Sequence, residues 1–358
     1  MNKIVINKPY IKENSVICDI NFLGKDIRIV NEYSPNKELS TTSEGFVSLF
    51  LPHVMFTGDH LVVKGGVSNS YLKNINLLKK YYESLNIQDI HLNLDSNVNS
   101  DQTNNQNQSL CTFTGGVDSF YTLISNFKNI DSLLFCIDYD VKKNQKKLIS
   151  STLSMLDTVS KYSKKELIIC KTNQRRVLQW SGIKYLGNLK DQYKDLWGLF
   201  LHGPCLFNHG YNLSNNYGSL YIPSSHPASS NYLWGSSFHI DHLHSSSLLD
   251  IIHDGDCSRT HKVKTCLCNN SDLFLSNLRV CYANINQSFN CSKCEKCTRT
   301  ILAIGLLHPD SLNNLSTFNF NPSKFDEILK NYITKKFTKE SDIDFQNEIK
   351  HLLNLNHE

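Results

Sequence analysis

The sequence predicts an α/β protein built on a doubly wound, mostly parallel sheet, and three observations point there. From residue 110 onward, short apolar runs alternate with segments of helical spacing. Two of those runs, Ser132–Asp138 (SLLFCID) and Glu166–Lys171 (ELIICK), are almost continuously apolar, as strands covered on both faces must be. A glycine pair, Gly115-Gly116, stands between the first run and the first helical segment. That junction lies at the carboxyl end of a strand, where such sheets hold their ligands.

The elements follow in order. Short β-type runs occur at Lys3–Ile6, Val16–Ile20 and Ile27–Val30, and the apolar stretch Phe46–Phe56 is long enough for a helix. His60–Lys64 is strand-like, with Gly65-Gly66 expected to end it. Leu72–Leu85 has helical spacing. Residues 1–95 hold no catalytic constellation and read as an α+β accessory domain. Ser96–Ser109 (SNVNSDQTNNQNQS) is nearly devoid of apolar residues, so residues 96–109 read as a polar linker. Leu110–Phe113 then opens the α/β domain, assigned to residues 110–320. Helices are predicted over Val117–Phe127, Lys146–Tyr162 and around Tyr193–Phe207, and Ser219–Pro223 is a fourth strand. Residues 321–358 read as a C-terminal helical extension.

Composition bounds the function. The chain has 358 residues, more than one typical core, and its 40% hydrophobic and 20% charged content are ordinary. A net charge of +4 provides no argument for sequence-independent nucleic-acid binding. No stretch approaches the roughly 18 apolar residues that span a membrane. The opening MNKIVINKPYIKENSVICDINF lacks the apolar core and cleavage site of a secretory signal. A reducing, cytoplasmic location is therefore expected, in which clustered cysteines bind metal more often than they pair.

Two motifs carry chemistry. In LCTFTGGVDSFYTL, glycines let the backbone approach a ligand, and the helix start offers free N–H groups and a positive dipole end. Thr114 and Ser119 add hydroxyls. This suits phosphate, yet it is neither GxxxxGK[ST] nor GxGxxG. Further on, Cys281, Cys291, Cys294 and Cys297 have spacing suited to a closed, structural Zn²⁺ site, with Lys293, Lys296 and Arg299 offsetting thiolate charge. An iron–sulfur cluster is the rival. Cys266 and Cys268 are alternative ligands, and Cys111, Cys136 and Cys170 read as small hydrophobes in buried strands.

The first motif, Thr114 to Ser119, resembles the SGGxDS signature of the PP-loop ATP pyrophosphatases, with Thr114 in place of the first Ser. Taken with the four cysteines, the chain is similar to the 7-cyano-7-deazaguanine synthase (QueC) family. Val280-Cys281-Tyr282 compares with the family's SCY, and Cys291, Cys294, Cys297 and Arg299 with its second block. Asp138-Tyr139 compares with the start of DYGQ, from which Asp140 and Val141 depart, and Asp256–Lys262 (DCSRTHK) with LSKxE. The likeness covers roughly residues 108–305. It implies a HUP-type domain in which Thr114, Gly115, Gly116, Asp118, Ser119, Asp138 and Tyr139 hold ATP, with Asp118 near Mg²⁺ or the loop backbone. Asp118 and Ser119 would be catalytic. The implied reaction adenylates a carboxylate, giving AMP and pyrophosphate, for attack by ammonia or an amine to an amide or nitrile.

The family's substrate region has no clear counterpart. In its place stands YIPSSHPASSNYLWGSSFHIDHLHSS, Tyr221–Ser246. His226, Trp234, His239 and Asp241, with Arg259, are the candidate substrate residues, and His242, His244 and His253–Asp256 are further polar groups there. A His/Asp metal site in this loop is a weaker reading, because the spacings match no standard ligand pattern. Other functions stay open: modification of a protein or nucleic acid in a bacterial anti-phage defence operon, tRNA thiolation through Cys205 or Cys257, and a non-catalytic nucleotide-binding zinc module.

Overall fold

The structure, a computed structural model, describes residues 2–86, 89–180, 182–193, 195–230 and 233–355. Asn231 and Tyr232 of the predicted substrate loop, Lys194 of a predicted helix and the last three residues of the extension lie outside these.

The chain runs β1 (Lys3–Ile6), β2 (Tyr10–Lys12), β3 (Ser15–Phe22), β4 (Lys25–Ser34), α1 (Glu44–Thr57), β5 (His60–Ser68), α2 (Asn69–Ser84) and β6 (Leu94–Asn99). It continues with β7 (Ser109–Thr112), α3 (Val117–Ser125), β8 (Ser132–Ile137), α4 (Lys146–Ser163), β9 (Glu166–Thr172), α5 (His202–Asn212), β10 (Ser219–Pro223) and β11 (Asp250–Asp254). It closes with α6 (Arg259–Asn277), α7 (Glu295–Leu307), α8 (Phe325–Thr334) and α9 (Glu340–Leu355).

The strands form one mixed sheet of eleven among the described residues, ordered β11-β10-β7-β8-β9-β4-β3-β1-β5-β6, with β2 added to β3. From β11 to β9 every pairing is parallel. Within that block the first strand in sequence, β7, lies between β8 on one side and β10 on the other. Strand order therefore reverses between β7 and β10, which is the switch point of a doubly wound sheet. Strand β11, which periodicity does not reveal, completes the block.

Side chains in the parallel block alternate between two cores, as the period of a strand requires. Leu110, Leu134, Cys136, Ile168 and Cys170 join the core under α1, α2 and α5. Cys111, Leu133, Phe135 and Ile137 face the core of α3, α4, α6 and α7. Strand β4 shows the one-sided version of the same rule: Ile27, Ile29, Asn31 and Tyr33 are buried, while Lys25, Asp26, Arg28 and Ser34 are exposed. Its hairpin with β3 closes on Leu23-Gly24, both at positive φ, so that Phe22 faces Lys25.

One sequence-based expectation differs from the structure. Gly65-Gly66 does not end β5; the strand runs on to Ser68 and the glycines form an irregularity between Val63 and Val67. Gly66 has φ +75°, and a Cβ on Gly65 would meet Ser43 Oγ at 2.1 Å. The glycines permit a bulge, and pairing resumes beyond it. Residues 1–95 share their sheet with the rest of the chain. Strand β4 pairs antiparallel with β9, Tyr33 opposite Cys170, and one core cluster extends from Ile4 to Ile251. The polar run 96–109 begins inside β6 and ends inside β7.

Helix α1 is apolar on all sides because it is covered on all sides, by the sheet and by α5. Gly45 permits this approach: a Cβ there would lie 2.8 Å from Asn208 Cα and 2.9 Å from Tyr211 Cβ. No helix is long and apolar enough to cross a membrane among the described residues. The contact yields a prediction. Gly45→Ala, helix-favouring in isolation, is expected to destabilise the protein by about 1–3 kcal/mol through overpacking, read as a lower urea midpoint; an unchanged or higher midpoint contradicts the close approach.

Candidate functional site

The switch point is where the glycine turn lies. Strand β7 ends at Thr112, Phe113 still bonds to Leu134 O, and Gly115 turns the chain at φ +75° into α3. Glycine is favoured there by the positive φ, and a Cβ would also meet the flexible end of Met155 at 2.4 Å. Gly116 caps α3 without a side chain, leaving the helix start unobstructed by a capping oxygen. Ser119 Oγ donates to Gly116 O at 3.0 Å and accepts from Thr114 N at 3.4 Å, so this hydroxyl braces the turn. The Arg279 N–H, donating to Gly115 O at 2.7 Å, ties the turn to the chain entering the cysteine lobe.

Opposite the turn stand cations from two other helices. Arg259 and Lys262, one turn apart at the start of α6, reach Asp118 at 2.9 and 3.4 Å. Lys262 Nζ also donates to Ser224 O at 2.6 Å, at the end of β10. Lys296 and Arg299, one turn apart on α7, add to the positive field. Burial alone would raise the Asp118 carboxyl, but Arg259, Lys262 and Lys296 outweigh it and hold it well below the usual range. Burial and the Arg259 charge push Lys296 down, and push Arg299 down to about 10. Among the described residues, the carboxylates in ion-pair contact with these four cations are Asp118 and Glu295. Arg259 Nε and Nη1 and Arg299 Nε are buried without hydrogen-bond partners. Buried guanidinium donors of this kind are costly unless an anion meets them.

Helix α9 covers the cluster. Phe345 lies 3.6 Å from the Arg299 guanidinium and 5.2 Å from that of Arg259, and its ring stacks on His226 at 5.6 Å. Glu348 accepts from Thr260 N at 3.0 Å. The C-terminal extension is thus a wall of the site. An open cavity of about 980 Å³ lined by Ser40, Glu44, Asn99 and Asn104 lies elsewhere and includes none of the four cations.

The four cysteines converge as their spacing suggests. Their sulfurs lie within 4.8 Å of one another, with Cys281 and Cys294 3.9 Å apart and Cys291 and Cys297 4.0 Å apart. A tetrahedral core with Zn–S bonds near 2.3 Å needs edges of about 3.8 Å. Backbone N–H groups of Asn284 and Cys294 point at Cys281 and Cys291 sulfurs, both at 3.3 Å. The group could hold a metal ion such as zinc. Cys266 and Cys268 on α6 stay outside it. Lys296 and Arg299 act at Asp118 and Glu295, a use that the spacing alone does not disclose.

Other candidates are placed as follows. Both Asp118 oxygens are engaged by cations, Oδ2 by Arg259 and Oδ1 by Lys262. Asp138 turns the chain after β8 at φ 80° and accepts from Lys143 N. Tyr139 points its hydroxyl into the core, to Gln174 at 2.6 Å and His209 at 2.7 Å. His226 and Trp234 meet edge to face at 5.3 Å beside the cluster. His239 instead stacks on Tyr81 of α2 and bonds to Ala228 O. Asp241 is fully buried and holds Ser236, Ser237 N and His253 Nδ1, which makes it a brace for the loop. Sequence reasoning gave no role to Lys262 or Phe345 and read Lys296 and Arg299 only as thiolate counter-charges; the Arg-x-x-Lys and Lys-x-x-Arg spacings were the visible signal. No family model matches the chain, and no match is found among curated proteins or solved structures.

Burial pushes His226 down to about 3 and His244 down to about 4, Arg259 adding to the first. Both stay neutral in the fold, whereas the unfolded chain takes up protons near pH 6.5. The unfolded state then binds more protons, so stability falls as pH drops from 6.5 towards 4. The His244→Asn variant should lose less stability than wild type across that window, whatever its stability at pH 7. Urea midpoints at pH 7, 6, 5 and 4 test this, and parallel profiles would refute it.

Proposed function

We propose that this chain is a QueC-like, ATP-dependent, AMP-forming enzyme that activates a carboxylate for attack by ammonia or an amine. One observation carries the reading: at the strand-order reversal, the glycine turn and free start of α3 face Arg259, Lys262, Lys296 and Arg299. Helix start plus cations is a site for a polyphosphate, not for a neutral ligand. The HUP-type nucleotide-binding domain implied by the sequence resemblance agrees with this reading. So does the strand order.

The residues divide the work. Backbone N–H groups of the turn and the four cations hold the triphosphate and neutralise charge as pyrophosphate departs. Any Mg²⁺ comes with the phosphates, since Asp118 is occupied in orienting Arg259 and Lys262. A substrate carboxylate oxygen attacks the α-phosphorus and the bond to pyrophosphate breaks. The nitrogen nucleophile then attacks the acyl carbon and AMP leaves. Phe345, Trp234 and neutral His226 form an apolar and aromatic edge that keeps water from competing. The Cys281–Cys297 lobe holds Zn²⁺ as a structural ion that fixes the start of α7, and so Lys296 and Arg299.

The thiolation reading finds less support. Cys205 is fully buried, and burial raises both its thiol and that of Cys257, the reverse of an activated sulfur nucleophile.

Incubation with ATP, Mg²⁺, ammonium and a panel of carboxylates is expected to release AMP and pyrophosphate. Panels of small molecules, peptide C-termini and oligonucleotides separate the substrate classes. Arg259→Gln is expected to lower the rate by about 10²-fold or more, as loss of one transition-state charge contact does. ADP as product would sink the assignment, and tight ATP binding without turnover would leave a nucleotide-binding module.

A further inference from the structure

A second group of metal-binding residue types lies far from the cysteine lobe in sequence, on the other face of the sheet. Cys136 and Cys170 are directly opposite each other on β8 and β9, and His209 comes from α5 above them. All three are buried, and their ligand atoms lie within 4.8 Å of one another. His209 Nδ1 is 3.6 Å from Cys170 Sγ. For bonds of about 2.3 Å to sulfur and 2.0–2.1 Å to nitrogen, a tetrahedral S–N edge is about 3.6 Å.

The hydrogen bonds fix which histidine nitrogen is available. Gln174 directs its amide N–H₂ to Asn31 and Asn208, so its Oε1 faces Tyr139 and can only accept. Tyr139 therefore donates to Gln174 and accepts from His209 Nε2–H at 2.7 Å. That leaves Nδ1 unprotonated, an acceptor 2.8 Å from Tyr33 Oη and 3.6 Å from Cys170 Sγ. A metal-binding histidine is oriented in the same way, its second nitrogen held by an outer hydrogen-bond partner. Tyr33 Oη accepts from Asn212 Nδ2 at 3.0 Å and donates to Nδ1, and an ion bound at Nδ1 would take the place of that second bond.

We propose that Cys136, Cys170 and His209 form a second zinc site distinct from the Cys281–Cys297 group. Two thiolates and a neutral imidazole around Zn²⁺ carry no net charge, which suits a core position. Loading releases the two thiol protons to solvent and involves no redox change. The ion staples β8, β9 and α5 where Tyr33 of β4 joins the C-terminal half. This site does not depend on the enzymatic reading.

Metal content tests it. Protein purified under reducing conditions and reloaded with Zn²⁺ should hold two zinc ions per chain. Cys291→Ser/Cys294→Ser should retain one, and so should Cys136→Ser and His209→Gln. With Co²⁺ in place of zinc, the Cys291→Ser/Cys294→Ser protein should show thiolate-to-cobalt absorption that Cys136→Ser, added to it, abolishes. One zinc per wild-type chain would overturn the proposal, a measurement that stands even if a variant fails to fold. Two zinc ions that survive Cys136→Ser would place the second ion elsewhere and overturn it equally.

Discussion

The reversal of strand order between β7 and β10 is the constraint on which the rest of this structure depends. Crossovers between parallel strands keep one hand, so connections that leave a central strand in opposite directions pack on opposite faces. Here α3 and α4 pack on one face and α5 on the other. Ligand crevices of such sheets lie at this reversal, and β7 and β10 deliver different chemistry to it. After β7 comes a turn with free N–H groups; after β10 comes Ser224, whose carbonyl anchors Lys262.

Charge then organises the crevice. Four cations drawn from α6 and α7 around Asp118 would repel one another in a dry site, and burial lowers both Lys296 and Arg299. The arrangement persists because Asp118 and Glu295 offset part of the charge and because Phe345 shields two guanidinium faces. What is left over is donor capacity on Arg259 and Arg299. The cysteine lobe belongs to the same device, since Cys294 caps α7, which carries Lys296 and Arg299 within its first turns.

The seam between β4 and β9 has a different character. It is a buried polar network in which Asn31, Thr172, Gln174 and Asn208 bond to one another across the junction. Such a network is favourable only when its members are satisfied together, so it specifies one register for the joint. It is also why residues 1–95 extend the sheet: the edge of β9 would otherwise present unpaired backbone groups.

How much was legible follows from range. Strand β10 and the strand β1 were readable to the residue, because period and turn residues are local. The glycine turn and the four cysteines were readable for the same reason, their ligand atoms being close in sequence. Gly65-Gly66 misled, since a bulge and a stop look alike without the partner strand. Asp138 and Tyr139 could be matched to a motif, but only packing shows Tyr139 turned to His209. By itself the sequence determined the alternation of strand and helix, the glycine turn and the cysteine spacing, all set within about twenty residues. Tertiary structure alone decided that Arg259, Lys262, Lys296, Arg299 and Phe345 meet at Asp118, and that Cys136, Cys170 and His209 meet under α5. Those meetings join residues far apart in the chain, and only the sheet order and the packing of helices upon it bring them within reach.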